Sequence, residues 1–329
     1  MRSLVLALAL GCAWMASAAA DGGVGLLRFT VPGPPLGQAA GPPLVGLATY
    51  PAVVGRGSTR VGPVTLAAVA DAAPTSGRFP LVIISHGTGG LPELHGWLFE
   101  ALARRGFVVA GVAHPGNSRG DNDGAFGDAL LVGRSEQFGA LIDGLLAHQV
   151  LGPQLDARRI GLIGHSAGGY GGLLAAGAQP DFGAFAGACR RADRPGAAVP
   201  RMQHDSARQP VAEPRLRALV ALAPALGCLF TAEGLRGVGL PVLLVQADAD
   251  EVLQRDYNAA ALVPLLPRPP ELRRLPDAGH FVFLNVCDTL LRLLAASICT
   301  DPPGVDRAML HGALADQIAG FLRASLADD

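Results

Sequence analysis

The pattern of apolar positions divides the chain into a β-rich first part and a longer part in which strands and helices alternate. Residues 21–80 are rich in Gly and Pro, and their short apolar stretches at 44–50 and 61–70 predict two strands at an antiparallel edge. After residue 80, short β-branched runs alternate with segments of helical periodicity, which is typical of βαβ units and a parallel sheet. The sequence therefore predicts an α/β fold.

Six strands and six helices are predicted in this second part. The strands cover residues 81–85, 107–112, 159–163, 216–222, 242–246 and 271–275. The helices cover residues 94–104, 135–149, 167–176, 251–263, 288–296 and 307–326. Residues 179–214 lack steady periodicity and are interpreted as a lid or cap insertion. We find no internal repeat, so residues 21–329 are predicted to form one domain with this insertion.

The first twenty residues have the composition of an export signal. Arg2 precedes the apolar run 4–15, and the small residues 16–20 contain two Ala-x-Ala patterns. We expect residues 1–20 to be removed, with the mature chain beginning at Ala19 or Asp21, and the protein to be secreted or periplasmic. Since the run is shorter than the ~20 residues of a membrane span, no stable membrane insertion is expected afterwards. An uncleaved anchor and a lipoprotein modified at Cys12 are the alternatives.

Composition and cysteine count limit the classes of binding partner and the cellular compartment that are expected for this protein. Half of the residues are hydrophobic, 16% are charged and the net charge is −1, so neither nucleic acid nor an anionic membrane surface is predicted as a partner. Four cysteines follow the signal, an even number that suits an oxidising compartment. Three pairings are possible, and the short separation favours Cys287 with Cys299, leaving Cys189 with Cys228. No cysteine or histidine spacing supports a metal site.

The strongest chemical signal is a nucleophile motif between a predicted strand and a predicted helix. Residues 164–168, Gly-His-Ser-Ala-Gly, match G-x-S-x-G in the context that projects a serine from a tight turn. Ser166 is the candidate nucleophile, and the N–H of Ala167 at the helix start can stabilise an oxyanion. Residues 116–120 also match the pattern, but no apolar helix follows Ser118, which favours a loop there.

A glycine-rich loop follows the strand at 81–85. It reads Ser-His-Gly-Thr-Gly-Gly from residue 85, and in this strand-to-loop position a backbone N–H can serve as the second oxyanion donor. We assign that donor to Thr88. His86 is interpreted as a residue that holds the loop by hydrogen bonding.

The remaining members of a hydrolytic triad are predicted from two loops after later strands. The strand at 242–246 runs into Asp248 and Asp250, and Asp250 is favoured as the acid because it lies farther beyond the strand end. His280, in the loop after the strand at 271–275, is the candidate general base. The order Ser166, Asp250, His280 along the chain is typical of an α/β-hydrolase.

The other histidines are assigned supporting positions. Those at 95, 148, 204 and 311 are predicted on the surface or on helix faces, whereas His114 and His165 are predicted to line or buttress the site.

These motifs together make the chain similar to the dienelactone hydrolase-like branch of the α/β-hydrolases, including bacterial relatives of platelet-activating factor acetylhydrolase. The carriers are the 85–90 loop, the 113–117 turn, the 164–169 elbow, the Ala-Asp pair at 249–250 and the Gly-His-Phe at 279–281. The resemblance implies an α/β-hydrolase fold, Ser166, Asp250 and His280 as triad, and Thr88 and Ala167 as oxyanion donors. A dienelactone hydrolase proper has cysteine where this chain has Ser166. The segment 287–307 also resembles exported members, which fits a Cys287–Cys299 disulfide.

The expected activity is hydrolysis of carboxylic esters through an acyl-enzyme on Ser166, without a metal or organic cofactor. Short acyl esters, phospholipids and polyesters are the candidate substrates. A peptidase or amidase would use the same triad, and a noncatalytic binding protein could share the fold. The oligomeric state is not predicted.

Overall fold

The computed structural model describes residues 22–36, 39–183, 189 and 203–327, and every structural statement below refers to them. The strands are β1 (Gly23–Leu36), β2 (Ala39–Ala52), β3 (Thr59–Val61), β4 (Val64–Leu66), β5 (Val69–Ala70), β6 (Phe79–Ser85), β7 (Val108–Val112), β8 (Leu155–His165), β9 (Leu216–Leu222), β10 (Val242–Ala247) and β11 (Glu271–Leu275). The α-helices are α1 (Gly96–Ala103), α2 (Arg134–Leu146), α3 (Ala167–Ala175), α4 (Ala259–Leu262), α5 (Thr289–Leu294), α6 (Ala296–Cys299) and α7 (Arg307–Ser325).

One twisted sheet organises the described part of the chain. Its strand order is β11-β10-β9-β8-β6-β7-β2-β1-β5, while β3 and β4 form a separate hairpin. All neighbours from β11 to β7 are parallel, and β2 pairs antiparallel with both β7 and β1. The carboxyl ends of the parallel strands meet at one edge, which is where open α/β sheets place their functional loops.

The sheet is covered by helices on both faces. Side chains alternate along β6, so that Leu81 and Ile83 join one core with α2 and α3, and Val82 and Ile84 join the other core with α1 and α7. Burial on both faces explains why these strands read as continuous apolar runs in the sequence. Phe138 of α2 and Phe99 of α1 are fully buried, one in each core.

The element predictions are accurate for the central strands and differ from the structure elsewhere; the helix predicted at 288–296, for example, is divided into α5 and α6. The strand β1 was missed because its Pro and Gly content is typical of a loop. The predicted strand at 61–70 is divided into three short strands by turns. The predicted helix at 251–263 is a turn followed by the 3₁₀ segment Arg255–Tyr257 and the short α4. The Asp250 side chain accepts two backbone N–H groups there, which favours a turn over a helix.

Both expected disulfides are present in the structure. Cys189 is bonded to Cys228 and Cys287 to Cys299, the pairing that the short sequence separation favoured. The predicted export signal at 1–20, with both cleavage positions, lies outside the described residues. So do residues 184–188 and 190–202 of the predicted insertion, whose role as a cap stays a prediction.

The Cys287–Cys299 disulfide is expected to stabilise the tail of the domain. It closes a short loop of sequence separation 12 around α5 and α6, and a loop of this length stabilises a fold by about 2–4 kcal/mol. Replacing both cysteines by serine should lower the free energy of unfolding by that amount, measured by urea denaturation followed by circular dichroism. An unchanged denaturation midpoint in the double variant would contradict this expectation.

Candidate active site

Ser166 lies at the sharp turn between β8 and α3. Its backbone has φ 55° and ψ −118°, a conformation that costs a non-glycine residue on the order of 1–3 kcal/mol. Two hydrogen bonds hold the turn: the Ser166 N–H donates to the Leu222 carbonyl at 2.9 Å, and the Ser166 carbonyl accepts from the Ala225 N–H at 3.0 Å. This strained turn is the one that presents a nucleophilic serine in α/β folds.

The glycines on either side of Ser166 are required by close packing. A Cβ atom on Gly164 would overlap the Gly168 carbonyl, and one on Gly168 would overlap the Ser85 carbonyl. The turn can therefore form only if both positions lack a side chain, which explains the motif physically.

The loop after β6 lies directly against Ser166. Residues 86–90 line the same cavity as Ser166, and a Cβ atom on Gly87 would be 3.3 Å from Ser166 Cβ. Thr88 belongs to this loop, while Ala167 is the first residue of α3, so its N–H has no acceptor within the helix. The structure thus brings Thr88 and Ala167, the two predicted donors, to the cavity that Ser166 lines.

His280 and Asp250 form a buried pair at the ends of neighbouring strands. His280 Nδ1 is 2.7 Å from Asp250 Oδ2, and the two side chains are 3% and 5% exposed. The other Asp250 oxygen accepts from the N–H groups of Val252 and Leu253 at 2.8 and 2.6 Å. Because Asp250 accepts the Nδ1 hydrogen, the neutral His280 ring presents Nε2 as an acceptor. His280 lines the same cavity as Ser166.

Asp248, the alternative acid, belongs to a different cluster. Its carboxylate accepts from Arg274 Nη2 at 2.7 Å and from the Gln246 amide. Although burial opposes ionisation, these hydrogen bonds hold the pKa of Asp248 below its ordinary value. The structure therefore places Asp250, and not Asp248, against His280.

The turn that carries His280 is anchored by contacts that sequence reasoning missed. Glu251 Oε2 accepts the His280 N–H at 2.9 Å. Glu251 directly follows Asp250 in the sequence, where it looks like any polar residue of a turn. Only the structure therefore identifies this contact.

Three neutral histidines donate to backbone carbonyls of the same turn. The donors are His165 Nε2 to His280 at 3.1 Å, His95 Nδ1 to Phe283 at 3.1 Å and His311 Nε2 to Val282 at 2.7 Å. Burial lowers the pKa of both His95 and His311 to about 4, so these rings remain uncharged at neutral pH. His95 and His311 were predicted on the surface or on helix faces, and the structure buries both: His311 lies on the buried face of α7, and His95 directly precedes α1.

A second buried network supports the 86–90 loop. His86 Nδ1 donates to the Gly87 carbonyl at 2.7 Å, in agreement with its predicted role, and His86 Nε2 accepts from the His114 N–H at 3.2 Å. His114 in turn contacts Ser85 Oγ through Nε2 at 2.8 Å and Gln137 Oε1 through Nδ1 at 2.6 Å. Each ring therefore has a defined neutral tautomer.

Arg134, the first residue of α2, also contacts this loop and was not singled out from the sequence. Its side chain is fully buried. The residue directly follows a π-helix at Ala129–Gly133, and π-helices, although rare, occur frequently at functional sites. A signal did exist: Arg134, Phe138, Leu141 and Leu145 share the buried face of α2 at helical spacing. An arginine on an apolar stripe predicts burial, so the spacing along α2 contains the signal for this residue.

The cavity beside Ser166 has a volume of about 510 Å³, within the range of small-molecule sites. Its lining is largely apolar and includes Leu94, Phe126, Leu130, Leu226 and Phe281. The Cys189–Cys228 disulfide contributes to the same wall. The site can therefore enclose an apolar group next to the serine.

The described residues lack two features that would change the interpretation of the site. None of the helices there is long and apolar enough to cross a membrane. In the same ranges, no cluster of three or more His, Cys, Asp or Glu residues is arranged to hold a metal ion.

Comparison with known proteins agrees with this architecture. The sequence matches the alpha/beta hydrolase family over residues 82–293. A solved structure of a ferulic acid esterase from Streptomyces cinnamoneus is similar with a TM-score of 0.66 and 21% identity, covering 94% of this chain and 92% of that chain. At that identity the likeness concerns the fold alone, and no curated protein matches the sequence. Because the family match spans more than half of the chain, the protein belongs to the alpha/beta hydrolase family.

Proposed function

We propose that this protein is a serine hydrolase that cleaves carboxylic esters through an acyl-enzyme intermediate. The observation that supports this best is one cavity lined both by Ser166, at its strained turn, and by His280, whose Nδ1 is 2.7 Å from Asp250. A nucleophile, a base and an orienting acid on three separate loops are what acyl transfer needs.

In the first half-reaction, Ser166 Oγ attacks the ester carbonyl carbon while His280 Nε2 accepts the hydroxyl proton. Asp250 holds the Nδ1 hydrogen and stabilises the imidazolium that forms. The carbonyl oxygen becomes an oxyanion, which accepts hydrogen bonds from the N–H groups of Thr88 and Ala167. When the intermediate collapses, the bond to the alcohol oxygen breaks and the alcohol leaves with the proton from His280.

In the second half-reaction, water attacks the acyl group on Ser166. His280 accepts a proton from the water, and an oxyanion again forms between Thr88 and Ala167. The bond to Ser166 Oγ then breaks, the serine recovers its proton from His280, and the carboxylic acid is released. The cycle balances with water as its second substrate.

The apolar cavity supports esters with an apolar acyl or alcohol group, among them short acyl esters, phospholipids and polyesters. Leu94, Leu130 and Phe281 would contact such a group beside Ser166. A hydroxycinnamate ester belongs in the test panel because the structural neighbour is named a ferulic acid esterase. The dienelactone hydrolase-like branch is proposed on the sequence motifs.

We also propose that the chain is exported, as its first twenty residues predict. The two disulfides support this proposal, because such bonds persist mainly in secreted and periplasmic proteins.

Ser166→Ala should abolish hydrolysis of a p-nitrophenyl ester series of increasing acyl length and prevent labelling by a fluorophosphonate probe. Removal of the nucleophile is expected to lower kcat by roughly 10⁴–10⁶-fold. The matched control is Ser118→Ala, which changes the serine of the second G-x-S-x-G and should leave labelling and activity intact. Folded wild-type protein that is neither labelled nor active would refute the proposed function.

A matched anilide separates an esterase from an amidase. We compare p-nitrophenyl butyrate with its amide counterpart, N-(4-nitrophenyl)butyramide. The wild-type kcat/KM should be several orders of magnitude higher for the ester, because esters are intrinsically more reactive than amides. Comparable kcat/KM values for the two substrates would indicate an amidase or peptidase with the same Ser166 chemistry.

Asp250→Asn should lower kcat by about 10⁴-fold, because an amide no longer holds the His280 tautomer that accepts the serine proton. Asp248→Asn makes the same chemical change two residues away, where the carboxylate binds Arg274, and should leave kcat within a few fold. Steady-state kinetics of the two purified variants test this. The reverse ranking would make Asp248 the acid.

A further inference from the structure

Arg134 has a buried charge that has no role in the reaction as proposed above. Its side chain is 0% exposed, and within the described residues all its hydrogen-bond acceptors are neutral. They are the carbonyls of His86, Gly87 and Asn117, the Asn117 side-chain oxygen and Ser85 Oγ. A guanidinium buried without a carboxylate is costly, and burial lowers the pKa of Arg134 to about 9, still above neutral.

The neighbouring imidazoles do not share this charge. Burial, followed by the proximity of His114 and the charge of Arg134, holds the pKa of His86 well below its ordinary value. Burial and then Arg134 do the same for His114. Both rings are therefore neutral at pH 7, and Arg134 provides the positive charge of this network.

Two of the acceptors of Arg134, the carbonyls of His86 and Gly87, belong to the loop that carries Thr88. The Gly87 carbonyl accepts from Arg134 Nη2 at 3.4 Å, from His86 Nδ1 at 2.7 Å and from the Gly90 N–H at 3.1 Å. The described peptide bonds are trans, so the Thr88 N–H, in the same peptide unit, points away from the Gly87 carbonyl. Donors on the carbonyl also polarise that N–H and strengthen it as a donor.

Arg134 acts from behind this loop. Residues 86–90 line the cavity with Ser166, and Arg134 does not belong to its lining. The guanidinium therefore contacts the cavity wall from the far side, through the carbonyls of His86 and Gly87.

We propose that Arg134 is a positioning residue for the oxyanion. It fixes the Gly87–Thr88 peptide so that the Thr88 N–H faces the cavity, and its charge raises the positive potential where the oxyanion forms. Since negative charge develops there only during reaction, Arg134 stabilises the transition state more than the bound ester. This inference rests on the proposed ester hydrolysis at Ser166.

Asn117→Asp is the sharpest test, because it adds a carboxylate where Arg134 Nη2 already binds the Asn117 side-chain oxygen. The Asn122 amide, now bonded through its oxygen to Asn117, can rotate to donate instead. A purely structural Arg134 would gain an ion pair, with unchanged activity. An electrostatic role predicts an unchanged or higher Tm and a kcat for p-nitrophenyl butyrate lower by about tenfold or more, with KM within about threefold.

Two further measurements complete the test. Arg134→Met should lower kcat by roughly 10²–10³-fold and weaken the tetrahedral adduct of butylboronic acid by the same factor. Arg134→Lys, which keeps the charge, should recover part of both losses. The matched control is Ser135→Ala, since Ser135 is also buried but bonds Val132 and Val211. It should lower Tm without changing kcat or boronate affinity per folded enzyme, as counted by fluorophosphonate labelling.

The outcomes separate this inference from the proposed function. If wild-type protein is neither labelled nor active, ester hydrolysis and the role of Arg134 both fail. If wild-type protein is active and Asn117→Asp retains its kcat and boronate affinity, the electrostatic role of Arg134 is overturned. Unchanged kcat and boronate affinity in Arg134→Met, counted per folded enzyme, would overturn its positioning of the Gly87–Thr88 peptide. A loss of kcat and boronate affinity in stably folded Asn117→Asp supports it.

Discussion

The backbone strain at Ser166 is the constraint on which the rest of the site depends. A positive φ at a serine persists only where surrounding contacts determine it. Here β6, β8 and α3 approach so closely that Gly164 and Gly168 have no room for a Cβ atom. The hydrophobic cores on both faces of the sheet supply the free energy that holds these elements together. The fold thereby offsets a local cost at the residue proposed to react.

Around this turn, buried polar groups are held mainly by backbone carbonyls. His95, His165 and His311 donate to the 280–283 turn, and His86 donates within the loop opposite Ser166. Neutral imidazoles suit this role, because each supplies a directed N–H without the desolvation cost of a charge. Arg134 differs from these imidazoles because it is charged. Its buried charge has a physical reason under the proposed reaction, in which an oxyanion forms transiently on the other side of the 86–90 loop.

The cavity combines elements that are distant in the sequence. Loops after β6, β8, β9, β10 and β11 contribute to its wall, and the Cys189–Cys228 disulfide joins two of these regions. Such a pocket has an apolar lining beside polar reactive groups, which is the common composition of small-molecule sites. Its shape depends on how the loops pack, and that packing sets the substrate preference that the ester panel would measure.

The sequence by itself determined the α/β order of elements and the strands from β6 to β11, singled out Ser166 and His280, and narrowed the acid to Asp248 or Asp250. Strands and turns are predictable because their signals lie in short stretches of sequence. The motif glycines are predictable because every chain with this turn packs too closely there for a side chain. Tertiary structure alone decided that Asp250 rather than Asp248 faces His280, that His95 and His311 are buried, and that Glu251 and Arg134 contact the site loops. These contacts join residues up to 188 positions apart. Local patterns cannot specify them, because they depend on which faces of distant helices and loops meet.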